Sequence, residues 1–295
     1  KAFSGAILNE KYIGITRIHL EEDVGKLNHF GRFSGIDFNR AGVPLMEIVS
    51  EPDINTPDEA YAYLTGLKEI MQYADISDCD MEKGQMRCDV NVSVRPEVQK
   101  EFGTKVEVKN LNSFRAVHRA LTYEIERQIE MLKNGEKIYQ ETRGWNDDRG
   151  ESYLMRRKES AHDYRYFPEP DLSPFIITDS EIEEIKRLLP ELPAEKRKRF
   201  IRDYGVTEYD AEILTQDKFI ADYFDSAVKL VSSPKTIANW IISDLLKELN
   251  DRKISITECE VKPEYLAEIV KSVSSGKITN TAGKDILSEV FNTGK

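Results

Sequence analysis

The hydrophobic pattern of this chain changes near residue 178, and this change constrains the fold more than any other feature. Before it, segments that alternate apolar and polar residues lie between segments with helical periodicity. After it, the pattern is helical throughout, and helices are expected over residues 180–189, 194–203, 208–230, 235–250, 263–275 and 279–291. We therefore expect an α+β domain with a mainly antiparallel sheet over residues 1–178, followed by an all-α helical domain over residues 179–295.

Two helices of the first domain carry clear start and stop signals. Thr56 precedes Pro57 and two acidic residues, a combination that is typical of a helix start. The second helix is expected over residues 113–133, because Asn134 and Gly135 form a typical carboxy-terminal cap. Strands are predicted over residues 12–20, 45–49, 87–95 and 105–109.

Charge and cysteine content exclude several classes of protein. The net charge of −11 argues against a simple basic nucleic-acid-binding protein. The three cysteines have unrelated spacings, so they form no zinc motif and predict a reducing, cytoplasmic compartment. No stretch approaches the roughly 20 consecutive apolar residues of a membrane helix.

Two of the predicted strands carry carboxylates on polar faces. Alternation places Asp89 on one face of the first strand, and Lys105, Glu107 and Lys109 on one face of the second. If these strands pair through residues 96–104, the two carboxylates lie near each other among basic side chains. Such a face suits Mg²⁺ with phosphate groups, although a solvated face with cross-strand ion pairs is the more common arrangement.

Glu47 lies in an apolar run, residues 43–49, whose neighbours predict burial on both sides. A buried carboxylate without a partner is unfavourable, so Glu47 is expected to be protonated, ion-paired or metal-bound. Arg40 is the candidate for a purely structural partner. The acidic triplet at residues 21–23 follows a strand, and a triplet of this kind is usually part of a loop.

A basic cluster stands out in the helical half of this acidic chain. It consists of Lys196, Arg197, Lys198, Arg199 and Arg202. Such a cluster is more often a solvated helix face than a nucleic-acid contact, and both interpretations are open.

Several longer motifs occur together and resemble one family. They are residues 20–23 (LEED), 36–49 (IDFNRAGVPLMEIV) with its continuation 50–53 (SEPD), 87–91 (RCDVN), 109–114 (KNLNSF) and 163–171 (DYRYFPEPD). Their sequence and order resemble the B subunits of the tRNA-dependent amidotransferase GatCAB. The resemblance covers essentially the whole chain.

The resemblance implies a ligase reaction that uses ATP and Mg²⁺. The side-chain carboxylate of Glu-tRNA(Gln) or Asp-tRNA(Asn) is phosphorylated, and ammonia then converts it to the amide. The A subunit, an amidase, releases this ammonia from glutamine, and the heterotrimer is completed by a small C subunit. The implied fold of the first domain is a cradle related to glutamine synthetase.

The resemblance also assigns roles to residues of this chain. Glu22, Asp89 and Glu107 are the implied catalytic carboxylates of the metal site, and Glu47 is their neighbour in that site. The implied contacts to phosphate groups or to the tRNA end are Arg40, Arg87, Lys105, Lys109 and Arg165.

Two departures and two alternatives accompany this interpretation. Relative to the family, we expect the amino-terminal segment with its Gly-Leu-Glu-x-His-like motif and the carboxy-terminal tail domain to be absent, which would leave this chain inactive alone. One alternative is the archaeal E-subunit paralogue, specific for Glu-tRNA(Gln), but residues 107–174 offer no room for its inserted domain. The other is a tRNA-binding scaffold without chemistry.

Overall fold

The computed structural model describes residues 11–157 and 176–294, and its contacts divide them into two units. Residues 11–66 and 81–157 form the first unit, and residues 67–80 and 176–294 form the second. The motif at residues 163–171, with Arg165, lies outside the described residues. The boundary predicted at residue 178 stays a prediction.

The first unit combines three small sheets with two helices. In chain order its elements are β1 (Ile15–Glu22), β2 (Lys26–Phe30), β3 (Phe33–Asp37), β4 (Pro44–Ser50), α1 (Pro57–Tyr73), β5 (Cys88–Val92), β6 (Val106–Leu111), α2 (Phe114–Lys133), β7 (Glu141–Asn146) and β8 (Glu151–Arg157). The last seven residues of α1 belong to the second unit. β1 pairs with β4 and β2 with β3, both antiparallel. The third sheet has the order β5-β6-β7-β8, in which only β6 and β7 are parallel, so the predicted α+β class with a mainly antiparallel sheet is confirmed.

Helix α2 makes the crossover between the parallel strands β6 and β7 and begins and ends where its capping residues predict. The Ser113 side chain accepts a hydrogen bond from the Ala116 backbone N–H at 3.0 Å. The chain leaves the helix through Asn134 and Gly135, and Gly135 takes the left-handed φ of 73° that glycine tolerates best. Apolar residues of α2 pack with Val108, Leu111 and Trp145 in the core of this unit.

A buried ionic network joins α2 to the edge of the same sheet. Glu124 of α2 is fully buried, and its carboxylate accepts hydrogen bonds from Arg127 at 2.5 Å and from the Ser152 hydroxyl at 3.1 Å. Arg143 of β7 lies 3.6 Å from the same carboxylate and hydrogen-bonds Glu141 at 2.9 Å. Charges that face α2 are therefore neutralised within the protein, and α2 covers this face of the sheet.

The second unit is helical, as predicted. Its helices after residue 175 are α3 (Asp179–Leu188), α4 (Pro193–Tyr204), α5 (Glu208–Thr215), α6 (Lys218–Val228), α7 (Pro234–Trp240), α8 (Leu246–Arg252), α9 (Pro263–Ser274) and α10 (Asn280–Thr293). A π-helical turn, Ile241–Leu245, joins α7 to α8. Phe200, Phe224, Ile237 and Leu266 are completely buried in the core of this unit. No helix within the described ranges is long and apolar enough to cross a membrane.

The single helix expected over residues 208–230 is wrong, because the structure has two helices there. Asp217 separates them: its carboxylate accepts hydrogen bonds from the backbone N–H groups of Phe219 and Ile220, at 2.8 and 3.0 Å. This is the geometry of a helix N-cap, and it starts α6 immediately after α5 ends. Apolar residues continue across the break, which is why periodicity alone indicated one helix.

Candidate functional site

Most of the polar candidate residues on the four-stranded sheet lie on the face away from α2. Val106 and Val108 are buried among core residues, so alternation turns Glu107 and Lys109 to the opposite face. Between the pairs Cys88↔Leu111 and Val90↔Val108, strand β6 has two residues where β5 has only Asp89. This β-bulge bends the strand beside the carboxylates, and bulges are frequent next to active sites.

Lys109 joins the two predicted carboxylates. Its ammonium nitrogen lies 2.6 Å from Asp89 Oδ2 and 3.3 Å from Glu107 Oε1. The Thr142 hydroxyl of β7 donates to Glu107 Oε2 at 2.8 Å and holds that carboxylate from the other side. The predicted pairing of β5 with β6, and the proximity of Asp89 to Glu107, are confirmed. We call Asp89, Glu107 and Lys109 the carboxylate–lysine face.

The ionisation of this face is fixed by its own members. Partial burial alone would lower the pKa of Lys109, but its hydrogen bond to Asp89 and the charges of both carboxylates raise the pKa above its usual value. Lys109 is therefore a stable ammonium at neutral pH. Burial, with the nearby charge of Asp89, raises the pKa of the Cys88 thiol to about 12, so Cys88 is no thiolate nucleophile.

Glu22 and Glu47 lie elsewhere, on the two-stranded sheet of β1 and β4. Residues 11–157 and 176–294 contain no group of three or more His, Cys, Asp or Glu side chains that could hold a metal ion. The structure therefore does not gather Glu22 or Glu47 into one set with Asp89 and Glu107. The expected burial of Glu47 is wrong: 48% of its side chain is exposed, and it pairs with Arg17 at 3.1 Å rather than with Arg40. Two strands form too narrow a sheet to enclose a side chain between apolar neighbours.

Arg40 and Arg87 converge on a carboxylate that the sequence did not single out. Asp23 accepts a hydrogen bond from Arg40 Nε at 2.8 Å and lies 3.5 Å from Arg87 Nη2. Only 12% of the Asp23 side chain is exposed. The acidic triplet thus contributes an internal ion-pair acceptor through its third member. Lys105 lies exposed just before β6.

Two further side chains beside the carboxylate–lysine face were missed by sequence reasoning. Asn110, in the bulge, has a left-handed φ of 64°, and its amide Nδ2 donates to the Tyr153 hydroxyl of β8 at 3.1 Å. The available signal was Asn110 itself, since asparagine tolerates the left-handed region better than most residues and directly follows the strand predicted over residues 105–109. Tyr153 had no such signal, because its strand was not predicted.

The basic cluster of α4 is occupied by internal partners. Lys196 is buried and hydrogen-bonds Asp222, and Arg197 Nη2 lies 3.5 Å from Glu69 Oε2. Arg199 forms two hydrogen bonds to Asp225, at 2.8 and 2.5 Å. Lys198 and Arg202 are exposed and pair with Glu195 at 2.8 Å and with Asp203 at 2.6 Å. The expectation of a solvated helix face is therefore wrong for Lys196, Arg197 and Arg199, which bind α4 to its neighbours.

Comparisons with known proteins match both halves of the chain. The model of the GatB/GatE catalytic domain matches residues 4–183, and that of the GatB domain matches residues 222–295. A protein of Carboxydothermus hydrogenoformans is 54% identical over 290 residues, which cover 97% of this chain and 60% of that protein. Another, from Persephonella marina, is 54% identical over 284 residues, covering 96% of this chain and 60% of the relative. Both relatives are named as B subunits of aspartyl/glutamyl-tRNA(Asn/Gln) amidotransferase. The chain thus spans about 60% of the length of these curated relatives.

Proposed function

This chain belongs to the GatB/GatE family, and from that premise we propose that it carries the activation and transamidation site of a tRNA-dependent amidotransferase. The substrates would be Glu-tRNA(Gln) and Asp-tRNA(Asn), and the products Gln-tRNA(Gln) and Asn-tRNA(Asn). ATP would activate the side-chain carboxylate, and ammonia would supply the amide nitrogen. The observation that carries this proposal is the carboxylate–lysine face, where two carboxylates share one ammonium group.

The reaction needs activation because a carboxylate oxygen is a poor leaving group. Transfer of the terminal phosphoryl group of ATP forms a P–O bond to the side-chain carboxylate and breaks the bond to ADP. Ammonia then adds to the acyl carbon, phosphate departs with the electrons of the C–O bond, and one proton leaves the nitrogen. Negative charge therefore gathers on phosphoryl oxygens, and groups that stabilise it provide most of the catalysis.

The residues of the carboxylate–lysine face fit these demands. Asp89 and Glu107 supply the hard oxygen donors that Mg²⁺ prefers, and both lie close enough to the Lys109 ammonium to interact with one cation. Mg²⁺ is commonly held by only one or two carboxylates together with substrate phosphates. When bound, it would stabilise charge on the phosphoryl group. Lys109, Lys105 and the Arg40–Arg87 pair are the basic side chains proposed to bind phosphate or the tRNA end, with Arg165.

Protein partners and location complete the proposal. Ammonia would come from glutamine, hydrolysed by the amidase (the A subunit), and a small C subunit would complete a cytoplasmic heterotrimer. The names of the two relatives, each a B subunit, support assembly with other proteins. Glu22 and Glu47 stay predictions as metal-site carboxylates.

The test uses the full-length B subunit in its complex with the A and C subunits. We expect Asp89→Ala and Glu107→Ala each to reduce ATP-dependent amidation of Glu-tRNA(Gln) by at least about 100-fold, because phosphoryl charge loses its cation. Binding of glutamine to the amidase should not change. The control is Glu97→Ala, which removes an exposed carboxylate after β5. Near-normal amidation by both variants would refute the assignment of this site. If the unsubstituted complex binds tRNA normally but shows no amidation, the scaffold alternative is favoured.

A further inference from the structure

Tyr153 extends over the sheet beside the carboxylate–lysine face. Lys109 of β6 pairs with Gly144 of β7, and Gly144 pairs with Tyr153 of β8, so these three residues form one row across adjacent strands. A Cβ atom built on Gly144 would lie 2.5 Å from Tyr153 Cζ and 2.6 Å from its hydroxyl oxygen. The end of the tyrosine ring therefore covers Gly144 and reaches toward β6. Only glycine at position 144 leaves room for it.

Asn110 fixes the position and the hydrogen-bonding role of this hydroxyl. Its amide Nδ2 donates a hydrogen bond to the Tyr153 oxygen at 3.1 Å, so that oxygen acts as an acceptor. The phenolic O–H can therefore donate a hydrogen bond to another group. A hydroxyl that accepts one hydrogen bond also becomes a better donor. Asn110 is held in the left-handed region at φ 64°, and such backbone strain concentrates at functional sites.

The Tyr153 hydroxyl is accessible to a ligand that binds beside the carboxylate–lysine face. The row places Tyr153 two strands from Lys109, and 45% of Tyr153 remains exposed to an incoming ligand. We propose that the Tyr153 hydroxyl, positioned by Asn110 over Gly144, donates a hydrogen bond to an anionic oxygen of the bound substrate. The proposed function identifies this oxygen as a phosphate oxygen of ATP or the side-chain carboxylate of the aminoacyl group, and the inference rests on that function for this assignment only.

Tyr153→Phe in the complete heterotrimer removes the hydroxyl and keeps the ring over Gly144. We expect kcat/KM for amidation to fall about 10- to 100-fold, the range for loss of a hydrogen bond to a charged group. A rise in KM for ATP alone identifies the phosphate, and a rise in KM for Glu-tRNA(Gln) alone identifies the carboxylate. Tyr209→Phe is the matched control, since it removes another exposed phenolic oxygen, in α5.

Asn110 variants separate positioning from a merely structural role. Asn110→Gly tolerates the left-handed backbone but lacks the donor, so it should lower kcat/KM less than Tyr153→Phe does. Asn110→Asp keeps the shape, but its carboxylate accepts a hydrogen bond from the phenolic hydroxyl, which then no longer donates to substrate. We therefore expect Asn110→Asp to be the more damaging of the two. A structural role predicts the reverse order, because glycine removes the whole side chain.

Binding measurements distinguish failure of this inference from failure of the proposed function. Equilibrium binding of the non-hydrolysable ATP analogue AMP-PNP and of Glu-tRNA(Gln) is measured without turnover. If the unsubstituted complex binds either probe but does not amidate Glu-tRNA(Gln), the proposed function fails. In that case, weaker binding of the same probe by Tyr153→Phe still supports the inference about Tyr153. Unchanged binding and turnover in Tyr153→Phe, or no binding of either probe to the unsubstituted complex, overturns it.

Discussion

The carboxylate–lysine face and helix α4 both concentrate charge, but only the first presents it to an incoming ligand. On the sheet, 49% of Asp89 and 34% of Lys109 are exposed, and a substrate or metal ion can compete for each of them. On α4, Lys196, Arg197 and Arg199 are turned toward acidic residues of their own unit. Clustering of charge in a sequence therefore indicates function only when the fold leaves the charges accessible.

The two sites also differ in what holds them together. Asp225 accepts hydrogen bonds from Arg199 and from the Tyr204 hydroxyl at 2.7 Å, and only 16% of its side chain is exposed. This is a partly buried network in which each member satisfies another. The carboxylate–lysine face instead combines an ammonium with two carboxylates, so it keeps one net negative charge that a further cation can neutralise.

The largest expected effect comes from removing the acceptor of the α4 network. Asp225→Ala leaves Arg199 and Tyr204 without this carboxylate, and we expect it to lower the free energy of unfolding by about 3 kcal/mol. Urea denaturation at neutral pH measures this difference. The control Asp203→Ala removes the partner of the exposed Arg202 and should change stability by less than about 1 kcal/mol. Equal effects of the two changes would contradict the contrast between buried and exposed pairs.

The same variant has a defined pH dependence. Burial alone would raise the pKa of Asp225, but hydrogen bonds from Arg199 and Tyr204 lower the pKa below its ordinary value of 3.8. The carboxylate therefore stabilises the folded state above pH 3.8, and this stabilisation is lost as the pH falls through the lower, folded-state pKa. The stability difference between the unsubstituted chain and Asp225→Ala should accordingly shrink in acid. A difference that stays constant down to that range would refute this account.

Lys109→Met should affect activity strongly and stability little, the opposite of what is expected for Asp225→Ala. It removes an ammonium from a partly exposed face, so we expect a stability change of less than about 1 kcal/mol. In the assembled enzyme it should reduce kcat/KM for amidation by about 100-fold, because phosphoryl charge loses a stabilising cation. Lys100→Met, in the exposed loop before β6, is the matched control. A large loss of stability with normal activity would place Lys109 among structural ion pairs, like Arg199.

Sequence reasoning identified the parts of the fold whose signals are local. Ser113 and Gly135 bound α2 because capping and left-handed backbone geometry depend on a few adjacent residues. The pairing of β5 with β6 followed from two short alternating segments joined by a short connection. The proximity of Asp89 to Glu107 was consequently predictable from the sequence alone.

The remainder depends on contacts between residues distant in sequence. β7 was not predicted because most of its residues are buried on both faces, so ETRGWN shows no alternation. Tyr153 could not be identified as a neighbour of Asn110 until β7 was placed between their strands. The predicted burial of Glu47 was wrong for a related reason. Apolar neighbours in the sequence indicate burial only when another layer of the fold covers them. Long-range pairing, rather than residue type, decided these cases.

The smallest expected effect concerns the exposed members of the α4 cluster. Lys198→Gln combined with Arg202→Gln removes two charges that are already paired with Glu195 and Asp203, and leaves the buried pairs intact. If α4 serves its own unit, tRNA affinity and its salt dependence should not change. Removal of a single phosphate interaction would reduce the slope of log affinity against log salt by roughly 0.7–0.9. A slope reduced by that amount or more, measured with the assembled complex, would show that α4 presents charge to tRNA and that internal pairing does not prevent this.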